Sequence, residues 1–206
     1  MQSKTHWETV YTSKATTDVS WFQEHAETSL SIIQATGVGK EAAIIDVGGG
    51  ASTLVDDLIL RGYRDLSVLD LSAAALTAAR QRIGAASEKV DWIEADITQV
   101  ELPTHRYDVW HDRAVFHFLT APEDRAAYVA AVMHAIKPGG HVIVSTFAED
   151  GPDKCSGLPV MRYRADQLHA EFGDHFALLK HTKEVHHTPA GKDQKFIYCY
   201  CRKVAC

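Results

Sequence analysis

The sequence predicts an α/β fold in which a seven-stranded, mostly parallel sheet is covered by helices on both faces. The first observation behind this prediction is that apolar, strand-like runs alternate with helical segments along most of the chain. The second is that the carboxyl end alternates as two strands, 176–185 and 195–204, joined by Pro189-Ala190-Gly191, which favours an antiparallel hairpin. With 206 residues, 46% of them hydrophobic and 23% charged, the chain is typical of a single globular domain over residues 1–206.

Local signals support each element of this core, which we expect to occupy residues 42–206. Five strands before the hairpin are predicted at 43–47, 66–70, 89–96, 107–112 and 141–147. Helices are predicted at 54–59, 73–83, 122–136 and 165–172. Gly62 suits the end of the first helix, the second is rich in alanine, and Pro122 suits the first turn of the third. A turn is expected at 137–140, and the loop 148–163 is long enough to suggest a functional role.

A glycine-rich turn follows the first strand, in the run Asp46-Val47-Gly48-Gly49-Gly50. A strand, a tight turn and a helix in this order form a site for an adenosine-containing ligand. Gly48 and Gly50 allow the backbone to pass close to such a ligand, because they have no side chain. Asp46 requires a polar or cationic partner at the end of a buried strand.

Four aspartates lie at or just after predicted strand ends, namely Asp46, Asp70, Asp96 and Asp112. Because ligands bind outside the carboxyl ends of strands in open α/β sheets, these acids are expected to converge on one rim. Taken singly, Asp70 or Asp96 is equally compatible with capping the helix that follows.

These motifs together resemble the class I S-adenosylmethionine-dependent methyltransferase family. The resemblance rests on Asp46–Gly50, Asp70, Asp96-Ile97, Tyr107-Asp108-Val109 and Lys137-Pro138-Gly139-Gly140, and it covers about residues 40–204. It implies a Rossmann-like methyltransferase fold, S-adenosyl-L-methionine as cofactor, and direct transfer of a methyl group to a nucleophilic acceptor atom.

The same resemblance implies the cofactor-binding residues. Gly48 and Gly50 border the methionine part, and Asp46 lies near its amino group. The remaining assignments are Asp70 to the ribose hydroxyls, Asp96 to the adenine amino group, Leu71 and Ile97 to the two sides of the ring, and His111 and Asp112 to the methionine portion.

The N-terminal segment 1–41 is predicted to form two short amphipathic helices. Its aromatic residues Trp7, Tyr11, Trp21 and Phe22 have two interpretations. They either pack the segment onto the domain or form a lid across the cofactor, with Trp21 as a cofactor contact.

The expected acceptor is the N, O or S atom of a small molecule, and a protein side-chain (lysine-type) methyltransferase is the alternative. After the fourth strand, amide and base-amine methyltransferases carry an Asn/Asp-Pro-Pro-Tyr signature. This chain has His111-Asp112-Arg113-Ala114 there, which counts against DNA adenine and glutamine as acceptors. A nicotinamide-dependent oxidoreductase is a more distant alternative, because Ser52 and Thr53 leave its glycine motif incomplete. A non-catalytic cofactor-binding module also stays open.

Three residues are candidates for catalysis: His117, Cys155 and His187. His117 follows the fourth strand and suits a general base, and Cys155 and His187 lie in segments able to reach the same rim. Packing of His117 in a turn and an unreactive loop thiol at Cys155 are the competing interpretations. A Cys155–His117–His187 cluster is a hypothesis, and no metal site is predicted because zinc-type ligand spacing is missing.

The composition and charge of the chain limit the kinds of partner that we expect it to bind. A net charge of -6 at a pI near 6.0 gives no support to nucleic acid binding. The sequence has no segment of membrane-spanning length, so a cytoplasmic location with free thiols is expected for the four cysteines. The oligomeric state does not follow from the sequence.

Overall fold

The computed structural model describes residues 4–204. Its strands are β1 (Ala43–Val47), β2 (Asp65–Asp70), β3 (Val90–Glu94), β4 (Tyr107–Arg113), β5 (Ile136–Phe147), β6 (Lys154–Cys155), β7 (Leu158–Pro159), β8 (Phe176–His187) and β9 (Asp193–Lys203). Its α-helices are α1 (Lys4–Ser13), α2 (Glu27–Ala35), α3 (Leu54–Leu60), α4 (Ala73–Ile83), α5 (Pro122–Ala135) and α6 (Ala165–Ala170). Short 3-10 helices lie at Gly84–Lys89 and Phe116–Phe118.

Seven strands form one sheet in the order β3-β2-β1-β4-β5-β9-β8. Strands β1 to β5 pair in parallel, and β9 and β8 add to the edge in antiparallel fashion. The predicted mostly parallel seven-stranded sheet with a carboxyl-terminal antiparallel hairpin is therefore confirmed. The strand order reverses between β1 and β4, and a ligand crevice is expected outside the carboxyl ends of these two strands.

Helices cover both faces of the sheet. All five residues of β1 are buried, as expected for a central parallel strand. On one face, Leu30 of α2 and Leu54 of α3 belong to the buried cluster, and on the other face Tyr128 of α5 and Leu168 of α6 do so. The predicted helices on both faces of the sheet are thus present. Within residues 4–204, none of the helices has the length and apolar character needed to cross a membrane.

Several element boundaries differ from the sequence prediction, among them those of β5 and β3. Strand β5 begins at Ile136, before the predicted turn, because Ile136 already pairs with Tyr107 and a register shift absorbs the bend. Gly139 contributes to this bend with a φ of 75°, which glycine adopts without strain. Strand β3 ends at Glu94, so the predicted strand end at Asp96 lies in a turn. The loop 148–163 contains the short pair β6 and β7.

Candidate active site

Two adjoining cavities lie at the carboxyl ends of β1, β2 and β4. The first, called the β2-side cavity, is lined by residues that include Leu69, Asp70, Leu71, Ala95 and Ile97. The second, called the β4-side cavity, is lined by residues that include Asp46, Gly49, Ser52, Thr53 and His111. Both cavities share the lining residues Tyr11, Trp21, Gly48 and Arg113. These shared residues define the junction where a ligand would bridge the two spaces.

Asp46 lies in the β4-side cavity with one carboxylate oxygen occupied and one free. In the β1–β4 register Asp46 is opposite His111, which donates from Nδ1 to Asp46 Oδ1 at 2.7 Å. His111 accepts in turn at Nε2 from Ser29 Oγ at 2.8 Å. Asp46 Oδ2 is buried and has no hydrogen-bond partner among the described residues. A buried acceptor without a partner is costly, so this atom fits an incoming cationic donor such as the ammonium of S-adenosylmethionine.

The two predicted glycine positions are required by the protein's own packing. Gly48 has a φ of 69°, and a Cβ there would lie 1.9 Å from Cγ2 of Val115. A Cβ on Gly50 would lie 2.4 Å from Oδ2 of Asp70. Gly48 lines both cavities, whereas Gly50 lines neither of them and instead lies against Asp70.

Asp70 is buried at the end of β2 and lines the β2-side cavity. Its Oδ1 accepts from the backbone N–H of Ser72 at 2.8 Å. Burial, reinforced by the negative charge of Asp46, raises the pKa of the Asp70 carboxyl to about 7. Leu71 and Ile97 line the same cavity, as an apolar cradle for an adenine ring requires.

Asp96 holds the turn that follows β3. Its Oδ1 accepts from the N–H of Thr98 at 2.8 Å and from Thr98 Oγ1 at 2.7 Å. The neighbouring Ala95 and Ile97 line the β2-side cavity, whereas Asp96 does not. Oδ1 of Asp96 therefore has the local capping role that the sequence also allowed. A contact between Oδ2 of Asp96 and the adenine amino group stays a prediction.

His111 and Asp112, both assigned to the methionine portion from the sequence, have different surroundings, and Asp112 lines neither cavity. Successive residues of a strand point to opposite faces, so only His111 reaches the β4-side cavity. Asp112 is fully buried and accepts from the N–H groups of Val115 and Phe116 at 2.9 and 3.1 Å and from Tyr128 OH at 2.7 Å. It therefore stabilises the turn after β4.

The three predicted catalytic residues do not come together. His117 is fully buried between the rings of Phe118 and Phe147, at centroid distances of 4.5 and 4.7 Å, and lines neither cavity. Cys155 lines the β2-side cavity, and His187 lies on the hairpin, exposed and paired with Asp193 at 2.6 Å. Among residues 4–204 no group of three or more His, Cys, Asp or Glu side chains is arranged to hold a metal ion.

The protonation of His117 and Cys155 also disfavours the predicted roles. Burial, together with the charge of Arg113, lowers the pKa of His117 to about 3. Its Nδ1 accepts from the N–H of Phe147 at 3.3 Å, so this nitrogen is occupied by the fold. Burial raises the pKa of the Cys155 thiol to about 12, which keeps it protonated. The packing interpretation fits His117, and the unreactive thiol fits Cys155.

Replacing His117 distinguishes the packing interpretation from a catalytic role. We expect His117→Ala to lower the free energy of unfolding by about 1–3 kcal/mol, because it leaves a cavity and an unpaired N–H on Phe147. His117→Asn is the matched control, since its Oδ1 is able to take the place of Nδ1. Denaturant unfolding measures the change in stability, and binding of S-adenosylhomocysteine shows whether the folded variant keeps an intact site. A general base would instead show a loss of methyl transfer of about 100-fold or more at unchanged stability.

Sequence reasoning did not single out the ion pair at the junction. Arg113 Nη2 donates to Glu184 Oε2 at 3.2 Å, and both side chains are about nine-tenths buried. Arg113 Nε donates to Tyr198 OH at 3.2 Å, and Nη1 donates to the carbonyl of Trp21 at 3.3 Å. Burial opposes the charged form of Glu184, but the Arg113 charge and several hydrogen bonds outweigh it and lower the Glu184 pKa. A charged residue at the end of β4 was the available signal for Arg113.

The N-terminal segment covers the cavities. Trp7, Tyr11 and Trp21 line the β2-side cavity, and Phe22 lines the β4-side cavity. Trp21 donates from Nε1 to Tyr11 OH at 3.3 Å, and the Trp7 and Trp21 rings meet edge to face at 5.8 Å. The cofactor contact predicted for Trp21 stays a prediction on this geometry.

Three side chains tie helix α1 to the rest of the domain. Glu8 accepts from the backbone N–H groups of Ala73 and Ala74 at 2.6 and 3.2 Å, at the start of α4. Lys4 pairs with Glu94, and His6 Nε2 lies 3.2 Å from Ser156 Oγ. A carboxylate is favourable at a helix N-terminus, so Glu8 both caps α4 and holds α1 over Asp70.

Comparisons with known proteins agree with this fold. Residues 44–140 match the family model described as a methyltransferase domain. The chain is 30% identical over 116 residues to the ubiquinone biosynthesis O-methyltransferase of Serratia proteamaculans, covering 56% of this chain and 46% of that protein. It is 21% identical over 153 residues to the eEF1A lysine and N-terminal methyltransferase of Mus musculus, covering 71% of this chain and 22% of that protein. The chain thus spans less than half the length of both curated relatives.

Solved structures show the same fold. A structure describing conversion of a disulfide bond into a thioacetal group during echinomycin biosynthesis matches with a TM-score of 0.81 and 17% identity, covering 98% of this chain and 93% of that one. The N-methyltransferase NodS from Bradyrhizobium japonicum WM9, in complex with S-adenosylhomocysteine, matches with a TM-score of 0.66 and 15% identity, covering 86% of each chain.

The fold and the site define a Rossmann-like cofactor-binding domain of the methyltransferase type. The match over residues 44–140 and the S-adenosylmethionine-dependent methyltransferases among the solved structures support the class I S-adenosylmethionine-dependent methyltransferase family, and they support S-adenosyl-L-methionine as the cofactor. The predictions of family and cofactor are confirmed.

Proposed function

We propose that this chain transfers a methyl group from S-adenosylmethionine to a small-molecule acceptor. The observation that carries the proposal is the unpartnered Oδ2 of Asp46, buried beside a junction that α1 and Trp21 cover. The free acceptor suits the cofactor's ammonium, and the covered junction suits an acceptor small enough to be enclosed.

The chain's residues hold the cofactor in a fixed direction across both cavities. Asp46 accepts from the ammonium in the β4-side cavity, and Asp70 accepts from both ribose hydroxyls in the β2-side cavity, as a carboxylate's two oxygens allow. Leu71 and Ile97 enclose the adenine ring. When bound, the cofactor supplies a methyl group already activated by its sulfonium. The protein's contribution is alignment and exclusion of water at Gly48 and Arg113.

Residues 4–41 act in this proposal as a lid that must open for cofactor exchange. The ties from Glu8 to Ala73 and Ala74 support this role. We expect Glu8→Ala to accelerate release of S-adenosylhomocysteine several-fold and to accelerate tryptic cleavage after Lys14, because the lid loses its hold on α4. Stopped-flow displacement and limited proteolysis measure these rates.

Glu41→Ala is the matched control for the lid, because Glu41 pairs with Arg64 at an exposed site that lines neither cavity. Unchanged release in Glu8→Ala, or equal acceleration in both variants, contradicts the lid assignment.

The mouse relative that is a lysine and N-terminal methyltransferase supports a protein acceptor as the second candidate. The deciding experiment incubates the chain and methyl-labelled cofactor separately with a metabolite extract and with a protein lysate. Label in small molecules supports the proposal, and label only in protein supports the second candidate. Cofactor binding without transfer in either fraction favours a non-catalytic module. Asp46→Asn serves as the background control.

A further inference from the structure

The walls of the two cavities limit the chemistry of the acceptor. Six titratable side chains of the described residues line these cavities: Tyr11, Asp46, Asp70, His111, Arg113 and Cys155. A general base must lie within hydrogen-bond reach of the acceptor's proton and be free to take it. The state of each group therefore decides whether the site is able to deprotonate an acceptor.

His111, Asp46 and Asp70 are occupied by other interactions and are not free to take a proton from an acceptor. His111 is held at both nitrogens, by Asp46 at 2.7 Å and by Ser29 at 2.8 Å. The remaining oxygen of Asp46 faces the cofactor's ammonium in the proposed function. Asp70 lines the β2-side cavity, and in the proposed function it accepts from the ribose hydroxyls of the cofactor.

The other three groups are protonated. Arg113 is a cation paired with Glu184 at 3.2 Å. Burial raises the pKa of the Tyr11 hydroxyl well above its ordinary value, and burial likewise keeps Cys155 a thiol. Neither the junction nor its walls hold a free proton acceptor among the described residues.

The β2-side cavity, which adjoins the junction, is rich in aromatic surface. The Trp7 ring lies 5.8 Å from the Trp21 ring and 5.1 Å from the Phe118 ring, and Trp21 lies 6.2 Å from Tyr11, all in edge-to-face arrangements. All four rings line the β2-side cavity. Aromatic faces attract cations and sulfur atoms, and the Glu184 carboxylate offsets the charge of Arg113.

We propose, building on the proposed function, that the acceptor is an uncharged sulfur or weakly basic nitrogen atom, which is methylated without first losing a proton. The acceptor's lone pair forms the bond to the methyl carbon while the bond from that carbon to the cofactor's sulfur breaks. The electron pair of the broken bond stays on the cofactor's sulfur. The acceptor gains one positive charge, which the rings of Trp7, Trp21 and Phe118 stabilise. Hydroxyl groups and aliphatic ammonium groups require a base and are excluded.

The first test identifies the methylated atom. Products labelled in the metabolite extract are fragmented by mass spectrometry to locate the new methyl group. A methyl group on sulfur or on a ring nitrogen supports the inference. A methyl group on oxygen or on an aliphatic amine overturns the inference while leaving the proposed function intact.

The second test needs no acceptor. The probes are dimethylphenylsulfonium and its uncharged shape match isopropylbenzene, titrated into the protein saturated with S-adenosylhomocysteine. Trp21→Leu keeps an apolar side chain but removes the ring, so we expect it to weaken sulfonium binding about 3- to 30-fold. Binding of isopropylbenzene is expected to change less than about twofold, since no cation–π attraction is lost.

Trp92→Leu is the matched control, because Trp92 lies on β3 outside both cavities. Equal losses for both probes in Trp21→Leu, or the same loss in Trp92→Leu, overturn the inference. Failure of the wild-type protein to bind S-adenosylhomocysteine overturns the proposed function instead, so the two failures are distinguishable.

Discussion

Asp46→Asn is expected to weaken the binding of S-adenosylhomocysteine about 10- to 100-fold. The free Oδ2 of Asp46 is the buried acceptor in the β4-side cavity, and a hydrogen bond between charged groups contributes about 1.5–3 kcal/mol. Asparagine keeps an oxygen for His111 but presents an amide N–H₂ to the ligand's ammonium, which adds repulsion. Isothermal titration calorimetry of the purified variant measures the loss.

The unliganded variant is expected to be at least as stable as the wild type. Asp46 is one of the charges that raise the pKa of Asp70, so its removal relieves repulsion between two buried acids. Asp57→Asn is the control, because Asp57 is also buried and has an unpartnered Oδ2, yet lines neither cavity. An equal loss of affinity in both variants would mean that the effect is a general consequence of altering a buried acid.

Cofactor affinity is expected to rise with pH up to about 7 and then level off. The pKa of Asp70 in the free protein is about 7, and the carboxylate form accepts from both ribose hydroxyls. Below this pKa a proton must leave before the ligand binds, so affinity falls by up to about tenfold per pH unit. Calorimetry with S-adenosylhomocysteine between about pH 5.5 and 7.5 measures this slope, and Asp70→Asn is expected to remove it and to weaken binding.

The Asp70 carboxyl affects folding stability in the opposite direction, because stability falls with rising pH while cofactor affinity rises. Between its ordinary pKa of 3.8 and about 7, the folded protein keeps the Asp70 proton that the unfolded chain has lost. Stability from this group is therefore greatest at low pH and decreases as pH rises through that window. Asp112, whose burial raises its pKa to about 7 as well, lies outside the cavities and provides the control. If Asp112→Asn removes the pH dependence of binding and Asp70→Asn does not, the assignment is wrong.

Much of the fold follows from the sequence because its signals are local. Alternating strands and helices, the glycine turn after β1 and the terminal hairpin each depend on neighbouring residues. The start of β5 was missed because pairing of Ile136 with Tyr107 is a tertiary contact that overrides a turn signal at 137–140.

The convergence of Asp46 and Asp70 was predictable for a similar reason. Asp46 and Asp70 end adjacent parallel strands, so the topology alone brings them to one rim. Strand alternation excludes Asp112 from the face that His111 occupies, and that rule was available from the sequence.

The acceptor end depends on contacts between distant segments. Arg113 and Glu184 are 71 positions apart, and no local pattern links them. The position of His117 shortly after β4 suggested exposure to the site, but the rings of Phe118 and Phe147 enclose it.

The central claim is that one S-adenosylmethionine lies across both cavities with its ammonium on Asp46. The most direct test compares S-adenosylhomocysteine with 5′-methylthioadenosine, which lacks the amino-acid portion, in the wild type and in Asp46→Asn. The account predicts that the substitution weakens S-adenosylhomocysteine about 10- to 100-fold and leaves 5′-methylthioadenosine within about twofold. Equal weakening of both ligands, or of neither, would contradict it.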